Sequence, residues 1–434
     1  MENLGERKED GFPEVFSTGP LCPQHVGPPC PRFYNNTMRD YVAGDNVTLS
    51  DDLRATMTQY LKLYVSLLTQ NYLPSNNSLG PGVMVGTSGQ AILFLRLYLN
   101  FGNKDYLDLA RQYLEASLKY TAPTPKSQVG FLESYTGTYT IAAIIYNELG
   151  NTAESQQYVD LMKTAIVEGL QCTDDTFDTG RAGLLMAARM LNTYFGSPVI
   201  PQSDILTMAH QILDNGIKTG NGKYLVWKNQ VFPDIIFWGQ GHGSTGVLTQ
   251  FLQMPELLAN ETAAYHIKMT LDYYLTIQYP DGNFPTPLDP PYPDQPDELV
   301  QWCHGAPGFM PVLTLGYLAF GKEAYLNSAA RAADHVWTEG ILTKGLMLCH
   351  GVSGNTYMFL FMYEKTKDPK YLYRAIKFQE FALNTPVMVD PSIMRVPDPS
   401  PYMFFDGSYS GAVVLWSDML TGKSYHMPGF DAYP

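Results

Sequence analysis

The 434-residue chain carries 42 acidic against 28 basic side chains, a net charge of −14, and its sequence holds no Lys/Arg cluster. Nucleic acid and anionic membrane are bound chiefly through basic patches, so this balance argues against both and suits a small or peptidic ligand better. No apolar run reaches the roughly 18 residues of a membrane span, Met1-Glu2-Asn3-Leu4 lacks the layout of a signal peptide, and the five scattered cysteines are unlike a secreted disulfide framework; a cytoplasmic protein is the expectation.

Residues 1–31 repeat Pro and Gly, hold few large aliphatics and show no helical period, so they read as a flexible extension ahead of a body that spans 32–434. From Ser50, a candidate N-cap, Leu53, Met57, Leu61, Tyr64 and Leu68 recur at the spacing of an amphipathic helix with one packed face. Gly86-Thr87-Ser88-Gly89 then opens a segment, Gln90 to Tyr98, that is apolar on nearly every side, as a helix enclosed by others should be. Lys104 to Tyr120 is amphipathic again. The alternation continues to the C-terminus, and a small-residue turn precedes each enclosed segment, with turns ending at Gly89, Gly137, Gly183, Gly246, Gly308, Gly354 and Gly411. Their separation of about 45 to 65 residues is the scale of a repeated helix pair.

Seven such pairs bury all their enclosed members at once by closing into a ring. The expected fold is therefore all-α, a double-layered α/α toroid of seven helix-pair repeats forming one domain, with an open helical array as its rival. Closure would gather the seven turns at one end. Glycine there has two physical uses, close backbone approach and positive φ.

Two of these turns carry Gln301-Trp302-Cys303-His304-Gly305-Ala306-Pro307-Gly308 and Leu348-Cys349-His350-Gly351-Val352-Ser353-Gly354. Thiolate and imidazole are preferred zinc ligands, and a catalytic zinc takes three protein ligands with a fourth position open. Cys303, His304, Cys349 and His350 are four candidates for three places, and the same pattern also suits two ordinary buried thiols. The fourth repeat adds His242 in Trp238-Gly239-Gln240-Gly241-His242-Gly243, an imidazole whose pKa near neutrality would let it move a proton.

Trp302-Cys303-His304-Gly305-Ala306-Pro307-Gly308, Cys349-His350-Gly351-Val352-Ser353-Gly354-Asn355 and Gly241-His242-Gly243, set in seven Gly-containing repeats, resemble the lanthionine synthetase C-like family. Tyr371 to Phe378, Arg395-Val396-Pro397-Asp398 and Phe404-Phe405-Asp406-Gly407 point to its eukaryotic, glutathione-binding branch, with Asp406 where that branch typically has Glu and Val396 where it has Thr. The resemblance covers the chain from about Arg32 onward. It implies one zinc held by Cys303, Cys349 and His350, with His304 left either as a group behind the ligands or as a substrate-side group, and His242 as acid/base. Asp178, in Asp175-Thr176-Phe177-Asp178-Thr179-Gly180, lies near the place where bacterial relatives carry a catalytic aspartate. Lys344 matches a glutathione-contacting lysine, and Arg395, Val396, Pro397 and Asp398 match a second contact region.

The chemistry so implied is zinc-dependent addition of the glutathione thiol to dehydroalanine or dehydrobutyrine residues of polypeptides, giving a thioether. Its alternative is a zinc-containing glutathione sensor or adaptor that binds without turnover. A carbohydrate-processing α/α barrel would need a carboxylate pair that these turns do not offer with comparable clarity.

Overall fold

The computed structural model describes residues 32–74, 82–119, 128–288, 299–394 and 401–433. The N-terminal extension 1–31 and the stretch Arg395 to Asp398 lie outside the described residues. Sixteen helices occupy the described part, and β-pairing there is confined to isolated bridges such as Gln301 with His304.

Seven helices form an inner layer: α2 (Thr87–Phe101), α4 (Tyr135–Glu148), α6 (Arg181–Phe195), α8 (Ser244–Phe251), α11 (Ala306–Phe320), α13 (Val352–Thr366) and α16 (Ser408–Thr421). Each touches the next, and α16 touches both α13 and α2, so the ring is closed. Outside it lie α1 (Asp51–Asn71), α3 (Lys104–Leu118), α5 (Thr152–Gly169), α7 (Gln202–Thr219), α10 (Glu261–Ile277), α12 (Glu323–Glu339) and α14 (Pro369–Leu383), with α9 (Pro255–Leu258) and α15 (Pro386–Val389) as single turns in the connections. This is the α/α toroid, and the open array is excluded. Among the described residues no helix is long and apolar enough to cross a membrane.

The two layers differ in sequence because they differ in surroundings. In α1 the Ser50 hydroxyl accepts from the Leu53 amide at 3.2 Å, and the buried side chains are Leu53, Met57, Leu61, Tyr64 and Leu68, a single stripe. In α11 every residue from Ala306 to Gly316 is buried, Pro311 included.

Each inner helix starts where a glycine admits a neighbouring carbonyl. A Cβ on Gly89, Gly137, Gly183, Gly246 or Gly354 would overlap the carbonyl oxygen of the residue six positions earlier, respectively Val83, Phe131, Phe177, Gln240 and Leu348. These glycines are helical, so of the two uses open to glycine the repeat employs close approach. The turns then bond to one another around the ring. Met84 N donates to Leu132 O (3.0 Å), Val129 N to Thr179 O (2.8 Å), Asp178 N to Gly241 O (3.2 Å), Cys303 N to Cys349 O (3.4 Å), Leu348 N to Phe405 O (2.9 Å) and Phe405 N to Met84 O (3.0 Å). The Gln240 side chain completes the circuit by donating to Gly308 O at 2.6 Å.

At the seam between the first and last inner helices, Arg96 of α2 clamps Asp418 of α16 through Nε (2.8 Å) and Nη2 (3.0 Å). Asp418 also accepts from Asn100 (2.7 Å) and Tyr357 (2.7 Å), and both charged side chains are buried. The C-terminal tail enters beside this seam, and its Phe430, fully buried, packs edge-on against Phe177 and Trp302 beneath the turns.

Two stability predictions follow from these contacts. Asp418→Ala strands a buried guanidinium and should lower the unfolding free energy by about 3–5 kcal/mol, read from urea denaturation. Lys367, one residue past α13, has φ 59°, whereas α2, α6, α11 and α16 place Gly102, Gly196, Gly321 and Gly422 in the same left-handed position. Lys367→Gly should therefore raise stability by about 1 kcal/mol in the same measurement.

Candidate metal centre

Cys303 stands at the tip of a tight turn, where the Gln301 amide donates to His304 O (2.9 Å) and the His304 amide returns a bond to Gln301 O (3.0 Å). Gly305 closes this turn with φ 83°, a value open to glycine at little cost. Cys349 occupies the next turn, fixed by bonds from its own amide to Phe405 O (3.0 Å) and from the Cys303 amide to its carbonyl. The sulfurs of Cys303 and Cys349 and a ring nitrogen of His350 consequently lie within 4.8 Å of one another, both cysteines buried and His350 partly so.

This donor set fits a zinc ion. Bonds of about 2.0–2.3 Å in a tetrahedron place ligand atoms roughly 3.5–4 Å apart, a small contraction from the spread observed. A second fit is the Asp406 carboxylate: its Oδ1 is buried, has no hydrogen-bond partner and lies 3.8 Å from His350 Nδ1. A ligating imidazole needs such an acceptor on its other nitrogen. His304, the fourth candidate, is outside the group. Its ring is buried between those of Phe237 (5.2 Å between centroids) and His242 (5.7 Å), and burial pushes its pKa down to about 4, keeping it neutral.

His242 reaches the same place from the fourth repeat. Gly239 makes this possible, because a Cβ there would overlap Cys303 O. Asp178 Oδ2 is 2.5 Å from His242 Nδ1. A carboxylate accepts, so Nδ1 carries the hydrogen and Nε2 is the working nitrogen. Asp178 is itself held by Thr176 Oγ1 and Asn229 Nδ2, each 3.1 Å from Oδ1. Burial opposes a charge on His242, but the charge and hydrogen bond of Asp178, with help from Cys303, outweigh it and lift the pKa to about 9.

The two cysteines are electrostatically unequal. Burial opposes the Cys303 thiolate, yet hydrogen bonding from Cys349 and the neighbouring His304 and His350 hold its pKa well below the usual thiol range. Cys349 is pushed well up, first by its hydrogen bond to Cys303, then by burial, with the nearby Asp406 adding to both.

Among the acids of the third repeat only Asp178 meets His242. Asp174 instead accepts from the Thr176 amide (2.8 Å) and Thr179 Oγ1 (2.7 Å), and Asp175 pairs with Arg181 (2.7 Å). Lys344 reaches the centre indirectly, its Nζ donating to Gln301 Oε1 at 3.1 Å. Trp302 and Trp238 are packing residues, against Phe405 and Phe430 and against Tyr273 and Tyr274 respectively. Sequence reasoning missed Asn229, in the long connection before α8, which belongs to no motif. It also passed over Gln301, although that residue adjoins the Trp-Cys-His run.

The model of the family described as lanthionine synthetase C-like protein matches residues 77–431. The chain is 29% identical over 400 residues, 88% of its length, to the protein named Glutathione S-transferase LANCL1 of Danio rerio, of which 94% is covered. Among solved structures it resembles Nisin cyclase, with a TM-score of 0.64 and 14% identity over 87% of this chain and 96% of that one, a likeness of fold.

The Asp178 contact makes a pH prediction for metal-free protein. A raised histidine pKa adds stability that is complete below the unfolded value of about 6.5 and is lost as pH climbs through about 9. Asp178→Asn removes the largest attraction and leaves the burial, so the His242 pKa should fall well below 9. Ring-proton NMR titration of wild type and variant reads this directly, and an unchanged midpoint would remove Asp178 as the cause.

Proposed function

The chain belongs to the lanthionine synthetase C-like family, and from that membership and the Cys303, Cys349 and His350 constellation we propose that it adds the thiol of glutathione to dehydroalanine or dehydrobutyrine residues of polypeptides, using one zinc ion. The observation that carries this reading is the convergence of two thiols and an imidazole from adjacent turns with a carboxylate-held histidine from the turn before them. The printed name of the zebrafish relative supports glutathione as the thiol.

A zinc ion held by Cys303, Cys349 and His350 would leave a fourth position open and would supply acidity to a thiol arriving there. The remaining tasks fall to side chains. Lys344 offers a cation to one of the two glutathione carboxylates, and Arg395 to Asp398 are the second contact region this reading assigns. Asp178 fixes the orientation of His242. The pKa of about 9 belongs to the metal-free site, where the charge on Cys303 favours the imidazolium, and a bound zinc that took up that charge would leave Nε2 free to take the thiol proton. Sulfur then bonds to the β-carbon of the dehydro residue, the carbon–carbon double bond is consumed, and charge moves toward the adjoining carbonyl. His242 returns the proton to the α-carbon, so the thiol hydrogen ends there and the atoms balance. His304, neutral and buried beside His242, forms part of the wall.

The decisive assay incubates zinc-loaded protein with glutathione and a dehydroalanine peptide and looks by mass spectrometry for peptide carrying one glutathione. His242→Ala should slow formation about 10²–10⁴-fold while zinc stays bound. Tight glutathione binding with no thioether on several dehydrated peptides would reassign the chain as a sensor or adaptor. Loss of zinc in His242→Ala would make that histidine structural.

A further inference from the structure

Gln301 is buried beside the proposed metal ligands and has no place in the chemistry above. Its amide bridges two groups: Nε2 donates to Cys303 Sγ at 3.2 Å, and Oε1 accepts from Lys344 Nζ at 3.1 Å. An ammonium has no acceptor, so Lys344 decides which way the amide faces: oxygen to the lysine, and therefore N–H to the sulfur. The backbone leaves little other choice, because Gln301 and His304 are locked by their pair of mutual hydrogen bonds and the preceding carbonyl, Val300 O, is held by Asn355 Nδ2 at 3.0 Å. Among the described residues no side-chain amide is placed to do the same for Cys349, whose neighbour is the acid Asp406.

We propose that Gln301 is the positioning residue of the centre, a hydrogen-bond donor that withdraws charge from the Cys303 sulfur and is held in that orientation by Lys344. The inference rests on reading Cys303, Cys349 and His350 as a zinc site. Its consequence is that the two sulfurs donate unequally to a bound metal, Cys303 less than Cys349. A weaker donor leaves the metal more electrophilic toward an arriving thiol. The bridge also ties the residue proposed to hold a glutathione carboxylate to the ligand sulfur by two hydrogen bonds. Occupancy at Lys344 is thereby felt at Cys303 without any backbone movement.

The test uses full-length protein in which cobalt(II) replaces zinc, since sulfur-to-cobalt charge-transfer absorption reports the charge on the ligand sulfurs. Gln301→Leu removes the donor at similar volume, and Gln301→Glu keeps a partner for Lys344 while presenting an acceptor to the sulfur. Both should shift the band to longer wavelength with metal stoichiometry unchanged, and Gln301→Leu should lower kcat for thioether formation about 10-fold in the zinc protein. Lys344→Met, which frees the amide to turn, should shift the band the same way, and the Gln301→Leu/Lys344→Met double variant should shift no further than Gln301→Leu alone. A one-to-one cobalt complex whose band is the same in wild type and Gln301→Leu overturns the role of Gln301 and leaves the metal reading standing. Additive shifts in the double variant overturn the coupling to Lys344. Wild-type protein that binds neither zinc nor cobalt in stoichiometric amount overturns the metal reading, and this proposal with it.

Discussion

A carbonyl oxygen seated where a side chain would otherwise begin is the contact on which the rest of this molecule depends. Val83, Phe131, Phe177, Gln240 and Leu348 each press such an oxygen against the glycine six residues later, at the start of an inner helix. The approach draws each turn tightly over its own helix and exposes its remaining backbone groups to the neighbouring turns. The hydrogen bonds from Met84 to Leu132, Val129 to Thr179, Asp178 to Gly241, Cys303 to Cys349, Leu348 to Phe405 and Phe405 to Met84 are the result. Buried backbone groups need partners, and here each turn finds them in the next. A substitution at one of these glycines acts on two turns, its own and the one bonded to it.

The same packing creates the electrostatics. Gly239 lets the fourth turn lie against Cys303, which brings His242 near a sulfur whose charge favours its protonation. Asp178 works in the same direction, while the neighbouring His304 is driven neutral by burial. Two imidazoles whose rings lie 5.7 Å apart are thereby pushed to opposite protonation states. One is suited to carrying a proton and the other to forming an uncharged wall.

The sequence shows most clearly what repeats and what carries a distinctive side chain. The stripe Leu53, Met57, Leu61, Tyr64 and Leu68 is one buried face, Ser50 is its cap, and the seven glycine turns number and place the inner helices. Cys303, Cys349 and His350 are rare residues at repeated positions, and spacing alone still left His304 in competition with them. What separates His304 is rotation within a four-residue turn, where the paired bonds of Gln301 and His304 turn its ring toward Phe237. No periodicity encodes that. Asp178 could not be told from Asp174 and Asp175 by pattern because all three acids lie in one irregular turn, and their partners, His242, Thr176 and Arg181, decide among them. Phe430 is the extreme case: an aromatic four residues from the chain end gives no hint that it fills the space under Phe177 and Trp302.

The placement of Asp406 and Phe405 links closure of the ring to the centre itself. Phe405 O accepts from both Leu348 and Cys349, while Phe405 N donates to Met84 in the first repeat. The seventh turn therefore stands between the metal-ligand turn and the beginning of the ring, and the adjoining residue, Asp406, presents its carboxylate to His350. The seam that Arg96 and Asp418 hold shut fixes α16 against α2, and α16 starts two residues after Asp406. A chain whose repeats failed to close could still form the bond between Cys303 and Cys349, which joins neighbouring repeats. It would also keep the Phe405 acceptor behind Cys349 and the Asp406 carboxylate beside His350, since the sixth and seventh repeats are neighbours too, but it would lose the bond from Phe405 N to Met84 O that holds the seventh turn from its other side. Closure in this molecule thus braces the last turn of the centre as well as the core, and the buried ion pair at the seam serves both.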